Sequence, residues 1–468
     1  MKISSFYRAL WLSTAILCST TSFAQIAKKK LPISAKITKS ESIIKDKAPT
    51  KTTLKIDYTE YDLPNGLHVI LHKDNSTPIV VTSVMYHVGS KNEVNKLTGF
   101  AHFFEHLLFE GSENVKRGEF DKYLDEVGAV NNANTTQDRT YYYEILPSNS
   151  LETALWLESE RMLHAKVENI GIETQRKVVK EERRMRYDNQ PYGTFMEQMM
   201  KRAYTTHPYQ WTPIGSMDDI DAAQEKDYKK FYKTYYVPNN ATLVLAGDID
   251  IEQTKQWVKK YFGDIPKGAD IPKVTAVEPP QTKEIRDIVY DNVQLPGVFI
   301  GYHLPAQTDK DAYAVELLVK LLADGESSRL HKTIVDSKKA LESFAFPMLM
   351  EHPGLGIVGS IANSGTDVQE LENMMNKEVE KLQQQLVSDK ELQKVKNQIE
   401  KEFIDGLTSI ESRASQLATY YSFYDKQTSL VNNELDRYLA IMPQDIQAVA
   451  KKYFTVNNRT VLHWLPKK

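Results

Sequence analysis

Hydrophobic and polar positions alternate with a period of two at several points along this chain, and between them the period lengthens to that of a helix. After the turn Pro64-Asn65-Gly66, Leu67 to Leu71 predicts a half-buried strand. "PIVVTSVMYHVGS" is almost continuously apolar and predicts a second, more buried one. A helix is expected over about Leu97–Glu110, with Gly111 as its stop, and another over about Glu119–Glu126. "AVNNANTTQDRTYYYEILP" reads as two strands around a polar turn. Helical spacing then covers about Leu151–Ala165, Glu173–Asn189, Thr194–Ala203 and Asp218–Tyr235, before the strand "NATLVLAGDID" and a helix ending near Phe262.

The stretch "GDIPKGADIPKVTAVEPPQTKE" interrupts this with Pro and Lys and few large apolar residues, the composition of a linker. Beyond it the order restarts. "LPGVFIGYHLPA" predicts a strand, "DKDAYAVELLVKLLAD" and "SSRLHKTIVDSKKA" predict helices, and Phe344–Met350 and Gly354–Ala362 predict strands. Long helices and the strand "TVLHWL" close the chain. The repeated order predicts an α+β protein of two homologous domains, residues 53–265 and 285–468, joined by a linker at 266–284. Each domain is expected to be a mixed, mainly antiparallel sheet packed with helices.

The first residues do not fit this pattern. Lys2 and Arg8 precede an apolar run from Ala9 to Cys18, and Ser22-Phe23-Ala24 is a small-x-small cleavage signal, so residues 1–24 read as a signal peptide. Residues 25–52 lack periodicity and read as a flexible leader. Cleavage would move the net charge from −3 to −5 and remove Cys18, the single cysteine. A periplasmic or secreted protein without thiols has no disulfide to form, and any metal must be held by His and carboxylate. No second apolar run reaches membrane length, so no membrane association is expected after cleavage. No basic block with interleaved aromatics recommends a nucleic-acid partner.

The chemistry concentrates in "GFAHFFEHLLFEGSE". On a helix, His102 and His106 lie four apart on one face and Glu105 joins them. Burying three uncompensated polar groups costs several kcal/mol. A divalent metal held by the two imidazoles, with the carboxylate beside a water, would remove that cost. The order His-x-x-Glu-His is the inverse of the common zinc-protease helix. Alone, the motif leaves both a metal site and ordinary helix histidines open, because a third ligand is needed. In "ETQRKVVKEERRMR" an inward stripe of Val178, Val179 and Met185 places Glu182 on its face and Glu181 elsewhere. The alternative on pattern alone is that both glutamates are surface residues of a highly charged helix.

"TGFAHFFEHLLFEGSENVKRGEF" resembles the metal-binding helix of the pitrilysin/insulinase family of zinc peptidases, which includes the mitochondrial processing peptidases. Resemblances also lie in "LPNGLHVILHKDNSTPIVVTSVMYHVGSKNE", "NNANTTQDRTYYYEILP", "HPYQWTPIGSMDDIDA", "FYKTYYVPNNATLVLAGDID" and "QTDKDAYAVELLVKLLADGESSRL", so that the likeness runs from about Thr53 to the C-terminus. It implies Zn2+ held by His102, His106 and Glu182, and a zinc-activated water with Glu105 as general base. It implies hydrolysis of extended peptides or unfolded segments. Asn132-Ala133 would lie on an edge strand that receives the peptide, although as bare sequence Asn131, Asn132 and Asn134 also read as turn residues.

Two departures stand out. The family usually carries a Glu seven residues before the third ligand, and here that position is Gln175, a neutral candidate for tuning the site. Active assemblies also use an Arg and a Tyr, seven apart, after the "SSRL"-like segment; here Val335 and Glu342 stand near those positions, and Arg329 belongs to the earlier segment. The resemblance therefore implies a homologous partner subunit that supplies the Arg/Tyr pair, a heterodimer, and a lone chain that is nearly inactive. The competing readings are a non-catalytic structural subunit and a peptide- or metal-binding protein, for which His164 and His207 are the histidines that could close a structural site.

Overall fold

The computed structural model describes residues 55–467. The expected signal peptide at 1–24, Cys18 within it, and the expected leader at 25–52 lie outside the described residues. Eleven strands form two sheets. β1 Thr59–Asp62, β2 His68–Lys73, β3 Ile79–Tyr86, β4 Val130–Thr135, β5 Thr140–Pro147 and β6 Ala241–Gly247 make the first, in the order β1-β2-β6-β3-β5-β4. β7 Ile285–Asp291, β8 Gly297–His303, β9 Ala340–Met348, β10 Leu355–Ala362 and β11 Arg459–Pro466 make the second, in the order β7-β11-β8-β10-β9.

With β1 set aside, the two orders are the same. In each sheet the fifth strand to form inserts between the first two. It runs parallel to one neighbour (β2 with β6, β7 with β11) and antiparallel to the other (β3 with β6, β8 with β11). The remaining pairs are antiparallel. The fold is thus the mixed α+β duplication that the repeated pattern predicts. A side-chain detail repeats too. Asn240 donates through Nδ2 to the carbonyls of Tyr235 (2.8 Å) and His87 (3.3 Å), and Asn458 donates to those of Tyr453 (2.7 Å) and His303 (2.9 Å). Both lie just before the inserted strand, where they tie a preceding helix to the end of the adjacent strand. Buried carbonyls there find a partner that neither ladder offers.

Hydrophobic patterning explains the layering. β6 (ATLVLAG) is buried on both faces, as a central strand should be, whereas β4 (VNNANT) is polar and half-exposed, as suits an edge. The helices after each strand pair cover one face of their own sheet. The other face is covered by the opposite half. The helix Ile410–Phe423 lays Ile410, Ala414 and Leu417 on Ile70, Val81 and Val244 of the first sheet. The helix Phe195–Ala203 lays Phe195 on Phe299 of the second, with ring centroids 5.1 Å apart. Its Met199 sits so close over β8 that a Cβ on Gly301 would meet the sulfur at 2.7 Å.

Several elements differ from the sequence pattern. The motif helix is shorter than Leu97–Glu110: it spans Phe100–Leu107, because Gly99 adopts φ +90°, outside any right-handed helix. The expected helix Asp218–Tyr235 is two, Met217–Ala222 and Glu225–Tyr235. Ala223 and Gln224 are extended, and the Asp227 carboxylate draws the Gln224 N–H out of the helix path at 3.0 Å. The helix expected over Glu173–Asn189 runs Asn169–Arg183 and then opens into a wider, π-type turn at Arg184–Asp188. That turn breaks the phase of the expected inward stripe at Met185, while Val178, in the regular part of the helix, lies off its buried face. Val179 is fully buried, but Val178 and Met185 are 43% and 57% exposed. The inward face instead carries Ile172, Gln175, Val179 and Glu182, none of them exposed. "SSRLHKTIVDSKKA" yields only a short helical turn ending at Val335.

Candidate active site

The helix Phe100–Leu107 is fixed at both ends by buried charge. Gly99 has no side chain to cap it, so Glu93 does so from six residues upstream. Its carboxylate accepts the N–H groups of Gly99 and Ala101, each at 2.8 Å. Burial pushes the Glu93 carboxyl well up, against the pull of those amides. At the other end the Tyr142 hydroxyl donates to the Phe104 carbonyl at 2.8 Å, and Arg161 Nε reaches the Leu108 carbonyl at 3.4 Å. Phe100, Phe103 and Phe104 anchor the apolar side against Tyr228. The opposite side carries the histidines.

His102 and His106 stand with ring planes 85° apart and their Nε2 atoms 3.2 Å from each other. Glu182, from the helix Asn169–Arg183, places Oε2 at 3.3 Å from His102 Nε2 and 3.2 Å from His106 Nε2. Glu182 Oε2 is buried, with no hydrogen-bond donor among the described residues. Its other oxygen takes Arg186 Nη1 at 2.7 Å, one turn along. Three ligand atoms with edges of 3.2–3.3 Å fit one zinc. Tetrahedral bonds of about 2.0–2.1 Å require edges of about 3.3–3.4 Å. The electrostatics point the same way. Burial alone would raise the Glu182 carboxyl, yet the two histidines hold it far below the carboxylate range. Burial would likewise lower His102, yet Glu182 and Glu105 raise it. The three groups ask for positive charge at their common point.

Glu105 lies on the same helix, half-buried. Its carboxylate makes no hydrogen bond or ion pair with another described residue, so it is free to face a water. Among the described residues no fourth ligand joins the cluster. His164 faces Glu113 at 3.2 Å, and His207 accepts the Tyr209 N–H through Nδ1 at 3.1 Å. Gln175 is on the Glu182 helix but bonds to none of the three; its amide donates to Glu110 at 2.6 Å. Asn132 and Ala133 are on β4, the edge strand, which packs beside the motif helix. The Ala133 N–H is held by the Asn132 side chain at 2.9 Å. In the second half, Arg329 is bound to Glu391 by two contacts of 2.7 and 2.8 Å, so it is a structural residue there. Val335 ends a helical turn and Glu342 is half-buried on β9.

Sequence reasoning missed Glu93 and Arg161, whose contacts with the motif helix are tertiary. It also missed Arg186, for which the i, i+4 spacing from Glu182 was a readable signal.

Two helices bring a pair of imidazoles and a carboxylate together beside an open sheet edge, a group that could hold one metal ion. Residues 68–214, which contain all four motif residues, match the model described as Insulinase (Peptidase family M16), and residues 223–399 match that described as Peptidase M16 inactive domain. The chain is 34% identical over 86% of its length to a protein named zinc protease PqqE from Helicobacter pylori, covering 92% of that protein. This chain belongs to the insulinase family of peptidases, family M16. A solved Helicobacter pylori protease superposes with a TM-score of 0.84 at 32% identity, over 88% of this chain and 100% of that one. The periplasmic protease PqqL of Escherichia coli shares the fold, with a TM-score of 0.72 and 20% identity over 88% of this chain and 48% of that one. Among the described residues no helix is long and apolar enough to cross a membrane.

Proposed function

We propose that this chain is the zinc-bearing subunit of an endopeptidase acting on extended peptides or unfolded protein segments. The observation that carries the reading is the position of Glu182 Oε2, within 3.3 Å of both histidine Nε2 atoms. In this reading His102, His106 and Glu182 hold Zn2+, which when bound supplies Lewis acidity and lowers the pKa of a water towards about 7. Glu105 takes a proton on its carboxylate and returns it to the leaving amine nitrogen. β4 offers its outer edge along Asn132 and Ala133, where the Asn132 side chain caps the Ala133 N–H, and a peptide that displaces that cap adds as a further strand. Extended substrates suit that edge and folded ones do not.

A homologous partner subunit supplies the Arg/Tyr pair that Val335 and Glu342 do not. Support comes from PqqL, of which a fold like this one fills only 48%. The sequence leader, and the likeness in fold to the periplasmic protease PqqL, favour the periplasm. A non-catalytic subunit is the second reading, favoured by the same two substituted positions. Native co-purification with zinc analysis, followed by peptide cleavage with and without the co-purifying subunit, separates them. About one zinc per chain and cleavage that needs the partner support the proposal. Zinc without cleavage in any combination sinks the catalytic reading.

A further inference from the structure

The β4–β5 hairpin carries one arginine whose charge the fold leaves unpaired. Apart from Arg437, every other arginine among the described residues has a carboxylate partner within ion-pair distance. Arg139 has none. It sits at the hairpin turn, where its carbonyl accepts the Thr136 N–H at 2.9 Å. The guanidinium lies over the Tyr141 ring, 5.2 Å from its centroid, and Nη1 donates to Asn134 Oδ1. A guanidinium has five N–H donors, and the remaining ones have no acceptor among the described residues. The side chain is only half-buried, and partial burial of an unpaired guanidinium disfavours its charge until an anion is supplied.

The register says which side of the sheet this is. Asn132 pairs with Tyr143 and Asn134 with Tyr141, and cross-strand partners share a face. Asn132, Asn134, Tyr141 and Tyr143 therefore lie on one face, and Arg139 joins them through its contacts with Asn134 and Tyr141. Ala133 and Tyr142 lie on the other, where the Tyr142 hydroxyl meets the motif helix. A peptide added to β4 sends alternate side chains to these two faces. One set meets the motif helix. The next set meets the Asn134–Arg139 rim. Glu411, at the start of the helix Ile410–Phe423, faces Arg139 across this rim without closing an ion pair, and both Glu105 and Glu411 are near enough for their charges to act on the guanidinium.

We propose that Arg139 is a specificity-determining residue that selects a carboxylate on the bound peptide, at a position whose side chain points to the face of β4 away from the motif helix. This rests on β4 receiving the peptide, as proposed above. The carboxylate has two sources, an internal Glu or Asp side chain or the peptide's C-terminus. Arg139 with Asn134 beside it forms a planar fork suited to either.

The test reads binding, so that it does not depend on hydrolysis. The full chain carrying Glu105→Gln, with any subunit that co-purifies, is titrated with labelled, C-terminally amidated peptides that differ only in Glu or Gln at one position, moved residue by residue. In one register the Glu peptide is expected to bind about tenfold more tightly, the effect of one charge-assisted contact. With Arg139→Gln the ratio falls to about one, and with Arg139→Glu it inverts in favour of Gln. A second arm compares free and amidated C-termini on the Gln peptides; a preference that depends on Arg139 there identifies the terminal carboxylate as the source. Equal binding of both pairs in every register, or a preference that survives Arg139→Gln, overturns the assignment while leaving peptide binding intact. Failure of every peptide to bind overturns both this assignment and the peptidase reading beneath it.

Discussion

His106 Nε2 lies 3.2 Å from Glu182 Oε2, and the two side chains come from helices that meet only in the folded chain. The motif helix supplies two imidazoles on one face, and the third group arrives on a helix whose inward stripe is Ile172, Gln175, Val179 and Glu182. Removing any corner leaves the others buried beside an unmet charge.

Glu105→Gln should therefore keep zinc and lose turnover, by roughly a hundredfold or more, because the amide preserves shape but cannot take a proton. His102→Ala, His106→Ala or Glu182→Ala should lose both. Metal content by elemental analysis, set beside kcat/KM on an extended peptide, checks the contrast.

Chelation should abolish cleavage and lower the melting temperature, and added Zn2+ should restore both. At free zinc of about 100 times Kd, binding contributes about 2.7 kcal/mol to stability. Calorimetric melting across a zinc titration measures this, and a melting temperature indifferent to zinc would speak against the three-residue site.

Stability should also fall in acid through a network outside the metal cluster. Glu351 pairs with His87 at 2.6 Å and with Lys91, which in turn holds Asp138 at 3.0 Å. Burial would raise the Glu351 carboxyl, but His87 and Lys91 hold it down to about 2 from 4.5. A depressed carboxyl stabilises the fold fully above about pH 4.5, and that contribution, about 3 kcal/mol, is lost as the pH falls towards about 2. Lys91→Met should cost about 3 kcal/mol at neutral pH, because it removes the buried cation that Glu351 and Asp138 share. It should also flatten the acid limb. Denaturant midpoints measured from pH 7 to pH 2.5 check both effects.

Gln175→Glu, which restores the family's usual residue, should be harmful here. The Gln175 amide donates to Glu110 at 2.6 Å, and a carboxylate in its place would face another. A loss of about 1–3 kcal/mol is expected at pH 8, shrinking towards pH 5 as the pair shares a proton. Urea denaturation at the two pH values tests this.

The sequence carried the imidazole pair and its third group well, because a five-residue helical motif keeps its phase whatever surrounds it. The reasoning behind the third group was partly mistaken. Val178 proved exposed because it lies off the buried face of the regular helix, and Met185 because the turn at Arg184–Asp188 abandons the helical period; of that stripe only Val179 shares a face with Glu182. The repeated element order made the duplication legible, but not the place of β4 as an edge. That follows from β3 pairing with β5 rather than with β4, the next strand in the chain, a choice the element order does not state. Glu93, Lys91 and Arg139 stayed silent for a similar reason: charged residues in polar stretches look solvated until tertiary neighbours are known.

The crossed covering helices have a practical corollary. Cutting the chain in the segment around Pro266–Glu284 would strip Ile410, Ala414 and Leu417 from the first sheet, baring an oily surface worth about 1.5–3 kcal/mol for each large side chain. The two repeats have thus become mutual chaperones. Neither fragment should stay dispersed in buffer by itself, while both, supplied together from separate messages, should find each other and reassemble.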